Sequence, residues 1–330
     1  MRRTSPGLLA AVLALTALLT ACGSGTKSTS TGTTQVTIAG SDHLGGAPVH
    51  TATENNQWAA NHLTPKLQSF TTGRDALNAV LGGQAQYAVV GDLPAVSAIL
   101  ADRKIKILAA LSGFTDWRLL TATSSGITSF ADLKGRKIGL PEGTNVQYAL
   151  SGMLTRAGLK PADVTLVNLA PNQVTASLAR GDIDAGLTFP SFYDATKATL
   201  GSKYRELRYG GYTYRTLLIT AAGTSTATST AVLRTLITAT KTMAQDPAAA
   251  RKEVVSQAEG AVQPGFVNRH YTSYAYEVAL DEPLLKLLLA EGAWAKSAQK
   301  LSGTPDRATF LQHIDREPLT AAASTAVTLH

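Results

Sequence analysis

Phe70-Thr-Thr-Gly-Arg-Asp-Ala-Leu-Asn-Ala-Val-Leu-Gly-Gly-Gln-Ala-Gln-Tyr-Ala-Val-Val-Gly-Asp-Leu-Pro94 contains most of a fold in miniature. Leu67 to Phe70 reads as a strand, and Thr72-Gly-Arg-Asp75 has the spacing of a helix capping box. The helix from Asp75 to Leu81 stops at Gly82-Gly83, where a glycine suits the end of a helix. Tyr87 to Val90 is an apolar run of strand length, broken by Gly91-Asp-Leu-Pro94. A helix from about Ala95 to Leu100 then leads to a strand at Ile105 to Ala110. Strands alternating with short helices across brief loops predict a largely parallel sheet flanked by helices, an α/β architecture.

The pattern extends in both directions. Upstream, Gln35 to Ala39 reads as a strand ending at Gly40. Downstream, Lys137 to Leu140 is a strand and Pro141-Glu-Gly-Thr144 a loop that opens a helix at Asn145 to Ala157. Strands follow at Thr165 to Leu169 and Ala185 to Thr188, with a helix at Gln173 to Arg180 between them. Arg205 to Tyr209 and Thr216 to Thr220 carry the chain back. Phe114 and Trp117 fall in a loop after a strand on this reading. The carboxy-terminal third reads as nearly all helical: Thr230 to Ala244, Pro247 to Ala258, about Pro283 to Leu301, and Arg307 to Ile314.

The amino terminus predicts a compartment. Arg2 and Arg3 precede an apolar run from Gly7 to Ala21, 15 residues long. At a rise of about 1.5 Å per residue this run is too short for a hydrocarbon core of ~30 Å, so it reads as a signal segment over 1–21. Leu19-Thr-Ala-Cys22 resembles the lipobox of bacterial lipoproteins, which implies lipidation of Cys22 and a membrane anchor. Residues 22–35 are rich in Gly, Ser and Thr, the composition of a flexible tether. The expectation is an extracytoplasmic, lipid-anchored monomer.

Composition excludes several classes. Of 30 basic and 23 acidic residues, Arg2 and Arg3 belong to the signal, leaving 28 against 23 and a net charge of +5. This small excess includes no block of Lys or Arg longer than two, so no nucleic-acid partner is expected. A single cysteine rules out a disulfide framework within the chain. The six histidines show no metal-ligand spacing, and no nucleophile elbow or phosphate-binding glycine loop follows a strand. No metal, no cofactor and no enzymatic activity are expected.

Several runs together resemble the solute-binding proteins of ABC importers that take up aliphatic sulfonates, taurine, nitrate and thiamine precursors. The stretch from Phe70 to Pro94 follows that family's line, with Gln86-Tyr87 where Asp-Phe is usual. Ile127-Thr-Ser-Phe-Ala-Asp-Leu-Lys-Gly-Arg-Lys-Ile138 is similar to a second family run. Gly143-Thr144, Gly158-Leu159, Asp163-Val164 and Gly181-Asp-Ile-Asp-Ala185 continue it. The resemblance implies a two-lobe periplasmic-binding-protein fold of type II, with two crossover strands and ligand held between the lobes. Lobe 1 is expected at 36–120 with 215–330, lobe 2 at 121–210, and the hinge near 119–121 and 214–217. It further implies capture of a small organic anion and an ABC permease as partner. A ligand-binding sensor or partner-binding lipoprotein is the alternative, and after it an enzyme on the same scaffold. The family often has Trp-Asp-Pro or Trp-Glu-Pro after the Asp184-Ala185 strand; here stands Phe189-Pro-Ser191, without the carboxylate.

In such sheets ligands sit beyond the carboxyl ends of strands, where loops open into helices. Backbone N–H groups there favour anions. The candidate ligand-binding residues are accordingly Ser41 and Asp42, then Thr72, Gly73 and Arg74, then Gly91 and Asp92, then Gly143, Thr144 and Asn145. Asp92 also suits a helix cap, which is the favoured reading for it. Phe114, Trp117 and Phe189 are the candidate aromatic walls.

Overall fold

The computed structural model describes residues 32–40, 44–258, 260 and 262–329. Cys22, the signal segment and most of the tether lie outside these residues, as do the site candidates Ser41 and Asp42. The end of the expected tether, Thr34 and Gln35, already belongs to the first strand.

The chain opens with β1 (Thr34–Gly40), α1 (Ala47–Glu54), β2 (Leu63–Ser69), α2 (Gly73–Leu81), β3 (Tyr87–Gly91), α3 (Asp92–Leu100) and β4 (Ile105–Phe114). It crosses to β5 (Trp117–Ala122), β6 (Lys137–Leu140), α4 (Asn145–Arg156), β7 (Thr165–Asn168), α5 (Val174–Arg180), β8 (Ala185–Leu187), α6 (Tyr193–Leu200) and β9 (Tyr204–Tyr209). It returns through β10 (Tyr214–Ala221), α7 (Thr226–Gln245), α8 (Pro247–Gln257), α9 (Pro264–His270), β11 (Tyr274–Ala279), α10 (Glu282–Ala298), α11 (Arg307–His313) and α12 (Glu317–Ala322).

These strands form two mixed sheets. The first has the order β11-β4-β10-β3-β1-β2 and the second β7-β6-β8-β5-β9. In the first, β1 to β3 are parallel neighbours, while β10 runs antiparallel between β3 and β4. In the second, β5 runs antiparallel between β8 and β9. The first sheet therefore holds two reversed strands, β10 and the edge strand β11, and the second holds one, β5. Short βα connections supply the parallel strands, and the crossings between sheets supply β5 and β10.

The sheets place several segments differently from the sequence reading. β4 runs on to Phe114 and β5 starts at Trp117, so both aromatics stand on strands rather than in a loop. Only Thr115 and Asp116 separate the two strands, and the expected boundary at 120 falls inside β5. The carboxy-terminal third contains the edge strand β11, paired to β4. Its run Tyr-Ala-Tyr-Glu-Val-Ala alternates in burial as a half-covered strand does, but its alanines and glutamate carry no strand preference.

Two large apolar clusters hold the assembly. One lies around the first sheet, with Leu108, Leu218, Leu236 and Leu288 fully buried. The other joins α4 and the second sheet to Leu44, Phe114 and Phe266. It draws side chains from both sheets, so apolar burial spans the space between them.

Candidate functional site

Strand-to-helix junctions before α2, α3, α4 and α6 meet where the two sheets face each other. Thr72 caps α2, accepting from the Asp75 N–H at 3.2 Å while its hydroxyl donates to Asp75 Oδ2 at 2.7 Å. This reciprocal pair fixes where the backbone turns, and it orients Gly73 toward the cleft wall. Thr144 precedes α4, and its hydroxyl donates to the Pro141 carbonyl at 2.7 Å.

A cavity of about 60 Å³ lies between these junctions. Of the candidates from sequence, Gly73, Gly91, Phe114, Trp117, Thr144, Asn145 and Phe189 line it. Thr71 stands there in place of Thr72, whose hydroxyl is spent on the cap. Phe192, Val262, Phe266 and Tyr274 complete an apolar wall that the sequence reading missed. Phe266 and Tyr274 come from α9 and β11, segments with no junction signature, and only long-range packing carries them to the cleft.

Trp117 is the hub of the aromatic wall. Its ring stacks on Tyr212 at 5.5 Å and meets Phe114 edge-on at 5.4 Å and Tyr214 edge-on at 5.9 Å. It is 2% exposed, and its indole N–H has no acceptor. Edge-to-face and offset contacts of this kind hold rings in place beyond what area burial gives.

Two candidates lie elsewhere. Arg74 points away from the cavity and donates to the Glu142 carbonyl, bridging the α2 start to the loop before α4. It lines a separate open groove with Gly143, whose φ of +70° explains the glycine there. Their sequence position at helix starts is as expected, but a side chain one residue further round the turn faces the other way.

Asp92 is fully buried and, contrary to the cap expected from sequence, is the first residue of α3, the cap position falling to Gly91. Its Oδ1 accepts from the Leu93 N–H at 2.9 Å and Tyr212 hydroxyl at 2.7 Å, and also from Asn145 Nδ2. Its Oδ2 accepts from the Arg215 N–H at 2.8 Å. The Tyr212 hydroxyl also lies 2.8 Å from Oε1 of Glu291, which is equally buried, and accepts from Asn145 Nδ2 at 2.7 Å. One network thus ties α3 and α10 of the first sheet's half to α4 of the second, through the returning segment 210–213. Nothing in the pattern around Glu291, on a helix otherwise rich in leucine, marked it as part of this network.

Two buried carboxylates share the single hydrogen of Tyr212, so a further proton is needed. Burial raises Asp92 to about 6, against the pull of the Arg215 N–H, Tyr212 and Leu93 N–H. Burial and the Asp92 charge push Glu291 well above the ordinary carboxylate range. A carboxyl raised in the folded state binds more protons than in the unfolded chain across the window between its two values. Stability is therefore full below about pH 4 and falls as pH rises through 6 and beyond. Glu291→Gln keeps the shape without needing that proton. It should melt above wild type at pH 8, with the gap closing at pH 5. Parallel melting curves at the two pH values would mean that Glu291 carries no extra proton.

Two mixed sheets facing each other across a cleft define a two-lobe architecture of the periplasmic-binding-protein fold. The chain belongs to the NMT1/THI5-like family, whose profile matches residues 46–252. Among curated relatives, a binding protein of Brucella abortus is 34% identical over 151 residues, 45% of this chain and 46% of that protein. The taurine-binding periplasmic protein of Escherichia coli is 28% identical over 138 residues, 42% of this chain and 43% of the relative. The chain thus matches less than half the length of these relatives. An alkanesulfonate-binding protein of Xanthomonas axonopodis pv. citri, bound to MOPS, superposes with a TM-score of 0.72 at 22% identity. That match covers 86% of this chain and 99% of the other. The desulfurization enzyme DSZB also shares the fold, with a TM-score of 0.68 at 16% identity over 88% of this chain and 99% of the enzyme.

Proposed function

We propose that the protein is the extracytoplasmic solute-binding component of an ABC importer. It captures a small sulfonate-like organic anion between its lobes and delivers it to a permease. The observation that carries this reading is the cavity between the two sheets, walled by helix starts on one side and by aromatic rings on the other. The sulfonate- and taurine-binding names of its relatives support the ligand class. Gly73 and Gly91 would meet the anion, with Thr144 and Asn145 beside it, and the rings of Phe114, Trp117 and Phe189 would enclose the ligand. Residues 115–116 and 210–213, where the chain crosses between sheets, would be the hinge in place of the expected 119–121 and 214–217, which lie within β5 and β10. A ligand touching both lobes favours the closed form over the open one. Cys22 would carry the lipid that holds the protein, as a monomer, at the membrane.

The desulfurization enzyme favours a second reading, catalysis on the same scaffold. The lining argues for binding instead. Among its described residues there is no cysteine, histidine, carboxylate or charged nitrogen to act as nucleophile or proton carrier. A thermal-shift series on the full-length protein with alkanesulfonates, nitrate, aromatic acids and pyrimidines tests the proposal. A ligand at 100 times its Kd should add about 2.7 kcal/mol. A rise with the sulfonates supports capture. No rise with any anion would shift the reading to a sensor or partner-binding lipoprotein.

A further inference from the structure

Several side-chain donors around the cavity are already committed. Both Nδ2 hydrogens of Asn145 go to Asp92 and to the Tyr212 hydroxyl. The Thr144 hydroxyl is spent on the Pro141 carbonyl. Trp117 alone among these keeps a buried donor without an acceptor, at 2% exposure and on the cavity wall. A buried N–H left unpaired is costly, and an anionic acceptor is the partner that repays it most. Its ring is fixed by Tyr212, Phe114 and Tyr214, so the donor is held in place before any ligand arrives.

A counter-charge for a cation is missing among the described residues of the same walls. No described lining residue carries a carboxylate. Asp92, one residue beyond Gly91, is saturated by four donors. Seven of the seventeen described lining residues are aromatic. An ammonium group brought into this space would lose its water without gaining a counter-charge.

We propose that the indole N–H of Trp117 donates to the anionic head of the ligand, and that the cleft selects monoanions with an apolar tail against zwitterions. The inference rests on the binding reading above and narrows its ligand. A cleft that met its ligand through a carboxylate would have the opposite preference.

Propane-1-sulfonate and taurine test it directly, because they have the same number of non-hydrogen atoms and differ by methyl against ammonium. Calorimetry on the full-length wild type should show propane-1-sulfonate binding at least a hundredfold more tightly than taurine. Trp117→Phe keeps an aromatic wall without the N–H and should weaken propane-1-sulfonate at least tenfold. Its melting point without ligand shows whether the variant is folded. If it is not folded, the pair of ligands on wild type still decides. Taurine binding within tenfold of propane-1-sulfonate overturns the inference. So does a folded Trp117→Phe whose affinity is unchanged. Wild type that binds neither sulfonate overturns the binding reading itself, and this inference with it.

Discussion

Asp92→Ala should lower the melting temperature by on the order of 10 °C. The substitution removes the acceptor of four hydrogen bonds from Leu93, Tyr212, Asn145 and Arg215, all at the join between the two halves. Stripping one partner from a buried, fully paired polar group costs about 3–5 kcal/mol, since the donors left behind stay out of water. Each kcal/mol moves the midpoint of a protein this size by roughly 2–4 °C. Relief of Glu291, which no longer faces a second carboxylate, offsets part of the loss and should flatten the pH dependence. Differential scanning calorimetry at pH 7 checks it. A midpoint within 2 °C of wild type would mean that the four donors find other partners and that the network is not what joins the halves.

Gly91→Val should weaken ligand binding by a hundredfold or more while the protein still folds. The φ of Gly91 is −70°, open to any residue, so backbone freedom does not explain the glycine. Space does. A Cβ built there would stand 2.7 Å from Tyr214 Cε2 and 2.9 Å from Asn145 Cγ. Asn145 belongs to α4 in the opposite half, so the added side chain acts as a wedge between the lobes. Overpacking of this kind costs about 1–3 kcal/mol where neighbours cannot yield, and here the lobes can yield by opening. The cost would then appear in affinity, because a ligand that closes the cleft has to work against the wedge. Titration of the variant with the best sulfonate from the thermal series measures it. Unchanged affinity would show that the cleft binds without approach of α4 to β3.

The strand–helix grammar of Phe70 to Pro94 was legible because each of its signals is local. Thr72 with Asp75, Gly82-Gly83 and the apolar run Tyr87 to Val90 act within a turn or two of themselves, and each appears in the structure at its expected place. The same holds for Pro141 to Asn145 before α4. Phe114 and Trp117 were legible as aromatics near the cleft but not as strand residues. The two-residue crossing between β4 and β5 has no glycine or proline to mark it. Arg74 and Gly143 are expected at the cleft from their positions at helix starts, yet the direction of the Arg74 side chain and the course of the loop at Gly143 put them in the neighbouring groove.

Short-range chemistry written in the chain was enough to specify the α/β architecture, the alternation that builds parallel strands and the loops that would surround a cleft. Propensity, capping and hydrophobic period all act over a few residues and need no partner. The tertiary fold alone brought Glu291, 199 positions after Asp92, against the same tyrosine hydroxyl. It also carried Phe266 and Tyr274 to the aromatic wall and left the Trp117 N–H without an acceptor. Which donors are spent and which remain is a property of contacts between distant segments. Burial then turns that property into proton affinity and ligand preference, because an unpaired polar group is costly only where water cannot reach it.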